Sequence, residues 1–165
     1  MLKGKAFKFG DNISTDHIVP GRLAHLRSNL PELARHVLED ADPTFASRVQ
    51  PGDFVVGGSN FGLGSSREHA PLVIKMAGVS AVLAKSVARI FFRNAINRGL
   101  PVLICDTDKI CDGDMLEVDM QNGIIHDITN GEILTFKPIP RAMLSILDEG
   151  GLIPYIQKHG DFKLE

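Results

Sequence analysis

FVVGGSNFGLGSSREHA, residues 54–70, joins three apolar residues to a glycine-rich turn and then to a charged segment. The three apolar residues predict a short buried strand. The apolar stripe within 72–77 predicts a helix after the turn, and Gly78 is placed to end that helix. A turn that carries a strand into a helix is a usual place for a ligand site in an α/β sheet.

The segments around this stretch repeat the same alternation. Strand patterns at 79–84 and 100–105 flank a helix pattern at 88–98, and Gly99 marks the end of that helix. Towards the N-terminus, the alternating residues KGKAFKFG at 3–10 predict another strand. Strands that alternate with helices indicate a parallel sheet with crossover helices.

The last third of the chain has a different pattern. Three strand patterns alternate with two Asn-Gly turn signals, in the order 115–120, Asn122-Gly123, 124–128, Asn130-Gly131 and 133–136. Two helix patterns, 140–147 and 152–159, follow. We therefore predict a single α/β domain over residues 1–165, with a central, partly parallel sheet, flanking helices and a β-meander.

The segment between the first strand and the glycine turn is less regular. STDHIVPGRLAHLRSN, residues 14–29, has no clear period and is predicted to be a long loop. Asn29 and Pro31 then predict the cap and first turn of a helix, and Asp42-Pro43-Thr44 predicts the start of a second.

The composition excludes several classes of protein. The net charge of −2 gives no broad basic field for nucleic acid or an anionic membrane. The N-terminal residues MLKGKAFKFGD lack the apolar core of a signal peptide, and no apolar run reaches the roughly 18 residues of a membrane span. We therefore expect a cytoplasmic protein.

The two cysteines, Cys105 and Cys111, do not form a metal-binding motif. An iron–sulfur cluster takes three or four thiolates, and the CxxC spacing of a zinc site is missing. We expect both thiols to be reduced and no metal to be bound by this chain.

The glycine turn does not match the common phosphate or nucleophile motifs. Ser65 stands where a P-loop has lysine, and Arg67 stands where a dinucleotide fingerprint has its third glycine. The Gly-x-Ser-x-Gly spacing of a nucleophile elbow is also missing. Two hydroxyls, backbone donors and a guanidinium remain, and this set best fits a small carboxylic acid.

A purely structural interpretation of the same residues stays open. Ser65-Ser66-Arg67-Glu68 matches a capping box, so Ser65 or Ser66 could cap the helix that follows. Pro71 disfavours helical geometry at Ala70, which predicts free backbone N–H groups over residues 65–69.

Three segments together resemble the swivelling domain of the aconitase superfamily. They are NFGLGSSREHA at 60–70, STDHIVPG at 14–21 and KSVARIFFRNAINRGLPVL at 85–103, and the resemblance extends to about residue 155. It implies a swivelling β/β/α domain that acts as a small subunit. In this family a separate large subunit holds a [4Fe-4S] cluster through three cysteines, so this chain is expected to bind no cofactor itself.

The resemblance also implies a reaction, in which water leaves a hydroxy-di- or tricarboxylic acid and returns at the neighbouring carbon. It implies that Ser65, as an alkoxide, takes the proton from carbon, and that Asp16 orients the site by pairing with an arginine. Gly64, Ser66 and Arg67 are expected to bind a substrate carboxylate. If Ser65 caps the helix instead, Ser66 becomes the candidate base.

A short loop in this family reads the variable group of the substrate. Here it contains His25-Leu26-Arg27-Ser28, where many isopropylmalate-specific relatives have Tyr-Leu-Arg-Thr. The resemblance implies that Arg27 binds a second carboxylate and that Leu26 covers an isopropyl group. Isopropylmalate of leucine biosynthesis is therefore the expected substrate of this hydro-lyase. Homoaconitate, 2,3-dimethylmalate and a stand-alone carboxylate-binding or assembly module stay as alternatives.

Overall fold

The computed structural model describes residues 1–65 and 67–160, so Ser66 lies outside the described residues. The strands in this part of the chain are β1 Leu2–Lys8, β2 Phe54–Val56, β3 Ala81–Ala84, β4 Val102–Ile104, β5 Met115–Asp119, β6 Ile124–Asp127 and β7 Ile133–Thr135. They form one mixed sheet in the order β4-β3-β2-β1-β5-β6-β7. Strands β1 to β4 are parallel, whereas β1, β5, β6 and β7 pair antiparallel.

The helices are α1 Thr15–Ile18, α2 Leu30–Ala34, α3 Phe45–Arg48, α4 His69–Met76, α5 Arg89–Asn97, α6 Arg141–Asp148 and α7 Leu152–His159. Two 3-10 turns, Gly21–Leu26 and Thr107–Lys109, complete the regular elements of the described residues. Helices α4 and α5 are the crossover connections between the parallel strands β2, β3 and β4.

Both faces of the parallel strands are buried, because helices pack on one face and the meander packs on the other. Val55 and Val82 pack with the helices, on the same side as Phe91 of α5. On the opposite side, Phe54 and Leu83 belong to a second core. Residues of the meander complete this second core: Leu116, Val118, Ile125 and Leu134.

The sheet curls so far that its two edges approach each other. The N–H of Lys137, just after β7, donates to the carbonyl of Ile104 at the end of β4, with an N···O distance of 3.0 Å. The sheet order and the helices confirm the predicted α/β class, the partly parallel sheet, the flanking helices and the meander. The curling also explains how a meander on one edge covers the second core.

The prediction of a long loop over residues 14–29 was wrong. Ser14 caps α1, because the N–H of His17 donates to Ser14 Oγ at 3.2 Å and the N–H of Ser14 donates to His17 Nδ1 at 2.9 Å. A 3-10 turn, Gly21–Leu26, follows α1 after Val19 and Pro20. Both elements are too short to show a helical period in the sequence. His17 thus has a structural role at the start of α1.

The expected effect of Pro71 was also wrong. Helix α4 begins at His69, so Ala70 is helical and Pro71 is the third residue of the helix. A proline fits in the first turn because N–H groups there have no partner within the helix. By contrast, Asn29 caps α2 as predicted, since its Oδ1 accepts a hydrogen bond from the N–H of Glu32 at 3.4 Å.

Asp127 is a buried carboxyl group in the meander. Its Oδ1 accepts hydrogen bonds from the N–H groups of Thr129 and Asn130, at 3.1 and 3.2 Å. Its Oδ2 is buried and has no hydrogen-bond partner among the described residues. Burial, and then the neighbouring carboxyl of Asp114, raise the pKa of Asp127 to about 6. The folded state therefore binds the proton of this carboxyl more tightly than the unfolded chain does.

This pKa predicts an unusual dependence of stability on pH. The unfolded chain ionises Asp127 near its ordinary pKa of 3.8, whereas the folded chain ionises it near 6. The free energy of unfolding should therefore fall as the pH rises from about 4 to 6 through this group. We expect Asp127→Asn to remove that slope and to raise stability at pH 7 by about 1–3 kcal/mol. Urea unfolding between pH 4 and 8 measures both effects.

The matched control is Glu132→Gln, which neutralises an exposed carboxylate in the same meander. It should leave the slope in place. An Asp127→Asn chain that is less stable than wild type at pH 7 would contradict the assignment of a buried charge.

Candidate active site

The three segments that resemble the aconitase superfamily meet at one edge of the sheet. They follow β1, β2 and β3, whose carboxyl ends lie side by side because these strands are parallel. The N–H of Thr15 donates to the carbonyl of Leu63 at 2.8 Å, and the N–H of Ala88 donates to the carbonyl of Phe61 at 2.9 Å. The glycine turn therefore lies between the other two segments and is bonded to both.

Two glycines allow this close approach. Gly62 has φ +80°, and a Cβ atom at this position would overlap the ring of Phe91 in α5. Gly64 has φ +110°, and a Cβ atom there would lie 3.0 Å from Thr15 Oγ1. Both backbone conformations are ones that residues with side chains rarely adopt. The turn is thus fixed against α1 on one side and α5 on the other.

Ser65 is exposed at the end of this turn. Its hydroxyl makes no hydrogen bond to any other described residue. The N-cap of α4 is Glu68, without a capping side chain, so the capping role proposed for Ser65 was wrong. The N–H of Arg67 donates to the Ser65 carbonyl at 2.8 Å, so it is not one of the expected free donors. The hydroxyl of Ser65 is therefore available to a ligand.

The guanidinium of Arg67 is held in place by hydrogen bonds to Asp16 and Val19. Its Nη1 donates to Asp16 Oδ1 at 2.9 Å and to the carbonyl of Val19 at 2.5 Å. The same carboxylate oxygen accepts a hydrogen bond from the N–H of Gly21 at 3.0 Å. The bond from Arg67, and then that from Gly21, lower the pKa of Asp16 below its ordinary value. The expected pair between Asp16 and an arginine is present, and its catalytic importance stays a prediction.

Arg67 lines two cavities. The larger, which we call the Arg27 cavity, has a volume of about 400 Å³. Its walls are formed by Val19, Pro20, Gly21, Ala24, Arg27, Leu33, Arg67, Glu68 and His69. The smaller, which we call the Ser65 cavity, has a volume of about 220 Å³. It is lined by Thr15, Gly62, Gly64, Ser65, Arg67, Ala88, Arg89, Ile90, Phe91 and Asn94.

The structure brings together most of the residues predicted from the sequence. Gly64, Ser65 and Arg67 line one cavity, and Arg27 and Arg67 line the other. Leu26 lies outside both sets, because its side chain packs, partly buried, against the core on the helical side of the sheet. Its predicted contact with an isopropyl group stays a prediction. Ser66, the other predicted carboxylate ligand, lies outside the described residues.

Several lining residues were not identified from the sequence. The apolar wall of the Arg27 cavity consists of Val19, Pro20, Ala24 and Leu33, which lie on three different elements or connections. Arg89 and Asn94, on α5, line the Ser65 cavity, and His69 lines the Arg27 cavity. A signal for Arg89 existed, since it follows the strand that lies next to β2, at the edge where ligand sites occur.

The described residues do not fit a metal cluster. They contain no group of three or more His, Cys, Asp or Glu side chains that could hold a metal ion. Cys105 is buried, and burial raises the pKa of its thiol to about 12, so it stays protonated.

Among the described residues, no helix has the length and apolar character needed to cross a membrane.

The curled mixed sheet, with arginines and an exposed serine at the carboxyl ends of its parallel strands, defines a class: an α/β domain with a cleft at the edge where such domains commonly bind ligands. Comparison with known sequences gives the family. A family model described as "Aconitase C-terminal domain" matches residues 9–106, and the chain belongs to this family.

The chain also resembles individual proteins over nearly its whole length. It is 66% identical to 3-isopropylmalate dehydratase small subunit 2 of Archaeoglobus fulgidus, over 99% of both chains. It is 50% identical to the isopropylmalate/citramalate isomerase small subunit of Methanocaldococcus jannaschii, over 96% of this chain and 95% of that one. A crystal structure of 3-isopropylmalate dehydratase from M. jannaschii superposes with a TM-score of 0.92 at 44% identity, covering 96% of this chain and 95% of that chain.

Proposed function

We propose that this chain is the small subunit of a 3-isopropylmalate dehydratase. This hydro-lyase interconverts 2-isopropylmalate and 3-isopropylmalate in leucine biosynthesis, by removing water and adding it back at the neighbouring carbon. The observation that carries the proposal is the 66% identity, over 99% of both chains, to a relative with that name. The exposed Ser65 and the arginines of the two cavities support it.

Ser65 is our candidate for the base that removes the proton from carbon. Its hydroxyl is exposed and uses none of its hydrogen-bonding capacity within the described residues. A serine hydroxyl is a very weak acid, so its alkoxide needs nearby positive charge and donors. Arg67 lines the same cavity and supplies such charge. In this reaction the proton would pass from the substrate carbon to Ser65 Oγ, and it would return to carbon in the hydration step.

The arginines are our candidates for binding the two substrate carboxylates. A guanidinium can bind a carboxylate through two parallel hydrogen bonds. Arg67 keeps donors available because only its Nη1 is used by Asp16 and Val19. Arg27 is exposed and borders the same cavity. The apolar wall of that cavity would face the isopropyl group, with Leu26 as a further predicted contact and Ser66 as a further carboxylate ligand.

A large subunit completes the enzyme in this proposal. Relatives of this chain are named as small subunits, which implies such a partner. We propose that the partner carries a [4Fe-4S] cluster and that the complex acts in the cytoplasm. Such a cluster, when bound, supplies a Lewis acid for the departing hydroxyl group. The contribution of this chain is the base, the carboxylate ligands and the apolar wall.

A second substrate deserves a test because of one specific relative. The M. jannaschii protein at 50% identity is named an isopropylmalate/citramalate isomerase small subunit. Citramalate carries a methyl group where isopropylmalate carries a larger alkyl group. An apolar pocket loses only about 1–3 kcal/mol for each missing methylene, and these two groups differ by two carbons. We therefore propose citramalate as a slower alternative substrate of the same site.

The test is reconstitution with the large subunit encoded by the same genome, purified without oxygen. Isopropylmalate, citramalate, homoaconitate, citrate and 2,3-dimethylmalate are then compared through kcat/KM. We expect the highest value for isopropylmalate and no turnover by either subunit alone. Turnover of homoaconitate or dimethylmalate in preference to isopropylmalate would refute the substrate. Tight carboxylate binding by the isolated chain, without turnover in the complex, would support a stand-alone binding module instead.

Asp16→Asn tests the ion pair that holds the Arg67 guanidinium in place. The amide keeps the shape of the carboxylate but removes the charge that accepts the bond from Arg67 Nη1. Misplacing a substrate ligand is costly, so we expect kcat/KM of the reconstituted enzyme to fall about 10- to 100-fold. Because pairing lowers the pKa of Asp16, the pair should persist through neutral pH and break only as the pH falls through the lowered pKa.

The control is Glu39→Gln. It removes the carboxylate of another exposed ion pair, which Glu39 forms with Arg22 at 3.1 Å, and it does not touch Arg67. We expect its kinetic constants to equal those of the wild type. Equal losses in both variants would mean that the effect comes from general destabilisation of the segment after β1.

A further inference from the structure

Arg89 lines the Ser65 cavity together with Ser65 and Arg67. It is the first residue of α5 and is exposed. Its guanidinium forms no hydrogen bond or ion pair with another described residue. Long cationic side chains on a surface commonly find a carboxylate, so an unpaired one beside a cleft has its full charge available to a ligand.

The charges around the cleft are arranged unevenly. Arg67, at the boundary between the two cavities, is paired with Asp16 at 2.9 Å, and this carboxylate offsets part of its charge. Arg27 in one cavity and Arg89 in the other have no such partner among the described residues. The Ser65 cavity has no acidic residue among its described lining residues. Arg89 thus gives the Ser65 cavity a positive charge that no carboxylate of the described residues neutralises.

We propose that Arg89 binds the substrate carboxylate that lies beside Ser65, and that Arg27 binds the other carboxylate in the Arg27 cavity. This inference rests on the proposed function, since it takes a dicarboxylic hydroxy acid as the substrate. It divides the two carboxylates between the two cavities, with Arg67 between them. Asn94, which follows Arg89 on α5 and lines the same cavity, would face the same end of the substrate.

The test uses Arg89→Gln, Arg89→Lys and the control Arg93→Gln in the complex with the large subunit. Arg93 is exposed on the same helix and lines neither the Ser65 cavity nor the Arg27 cavity. A hydrogen bond to a charged group contributes about 1.5–3 kcal/mol, so we expect Arg89→Gln to raise KM for isopropylmalate about 10- to 100-fold. Arg89→Lys should recover part of this loss, and Arg93→Gln should match the wild type.

Inhibitors identify the group that Arg89 binds. Isopropylsuccinate keeps both carboxylates of the substrate and lacks its hydroxyl group, and each of its two monoamides lacks one carboxylate charge. We expect Arg89→Gln to weaken inhibition by isopropylsuccinate about 10- to 100-fold and to leave inhibition by one of the two monoamides unchanged. Equal weakening for the diacid and both monoamides would overturn the proposal.

Two other outcomes would also overturn it. One is a KM for Arg89→Gln equal to that of Arg93→Gln. The other is a loss that disappears when the large subunit is added in excess, which would place Arg89 in the contact between subunits. An inactive wild-type complex would refute the proposed function itself, so the wild-type assay separates that failure from failure of this inference.

Discussion

Replacing Ser65 with alanine is expected to lower kcat of the reconstituted enzyme by about 10²–10⁴-fold, the usual contribution of a positioned base. KM should stay within about threefold of the wild-type value, because the arginines that bind the carboxylates are unchanged. The structure supports this separation of roles, since the hydroxyl of Ser65 forms no hydrogen bond to a described residue. Steady-state kinetics and the affinity for isopropylsuccinate measure the two quantities separately.

Ser59→Ala is the matched control for this prediction. Ser59 lies in the same turn, and its N–H donates to Asp11 Oδ1 at 2.8 Å, a bond that the substitution keeps. Its rate should equal that of the wild type. An active Ser65→Ala enzyme would exclude Ser65 as the base and would leave Ser66, or a residue of the large subunit, as the candidate.

Much of the fold was predictable because its elements have strong local signals. The buried runs at β2, β3 and β4, the helix-ending glycines and the two Asn-Gly turns predicted the alternating elements and the meander. The curling of the sheet was not predictable, since it depends on contacts between residues far apart in sequence, such as Lys137 with Ile104. Local patterns carry no information about such contacts.

The site shows the same division between local and distant information. Ser65 and Arg67 belong to one short segment, so their proximity follows from the sequence alone. The ion pair between Asp16 and Arg67 connects residues that are 51 positions apart in the sequence. The parallel pairing of β1 with β2 brings these two residues together. Arg89 was overlooked because its segment was interpreted as a helix that covers the sheet, and its position after β3 was not used as a signal for a site. Its proposed role rests on the cavity that it lines and on the lack of a paired carboxylate among the described residues.

Arg67→Lys is expected to lower kcat/KM by about 10²–10³-fold, although it keeps the positive charge. The guanidinium does two things at once, since Nη1 is held by Asp16 and Val19 while its remaining donors stay available to a carboxylate. An ammonium group is a compact point charge and cannot reproduce this planar arrangement. Most of the loss should be in KM, which reports the binding of the carboxylate.

A double variant shows whether Asp16 acts through Arg67. If it does, adding Asp16→Asn to Arg67→Lys should lower kcat/KM only a little further, because the guanidinium that Asp16 holds is already gone. If the two losses instead multiply, Asp16 acts independently of Arg67. Arg98→Lys, in a half-exposed arginine whose ion pair with Glu68 spans 3.5 Å, is the control for the general effect of an arginine-to-lysine change. It should leave both kcat and KM unchanged, because arginine and lysine at an exposed ion pair differ by well under about 1 kcal/mol.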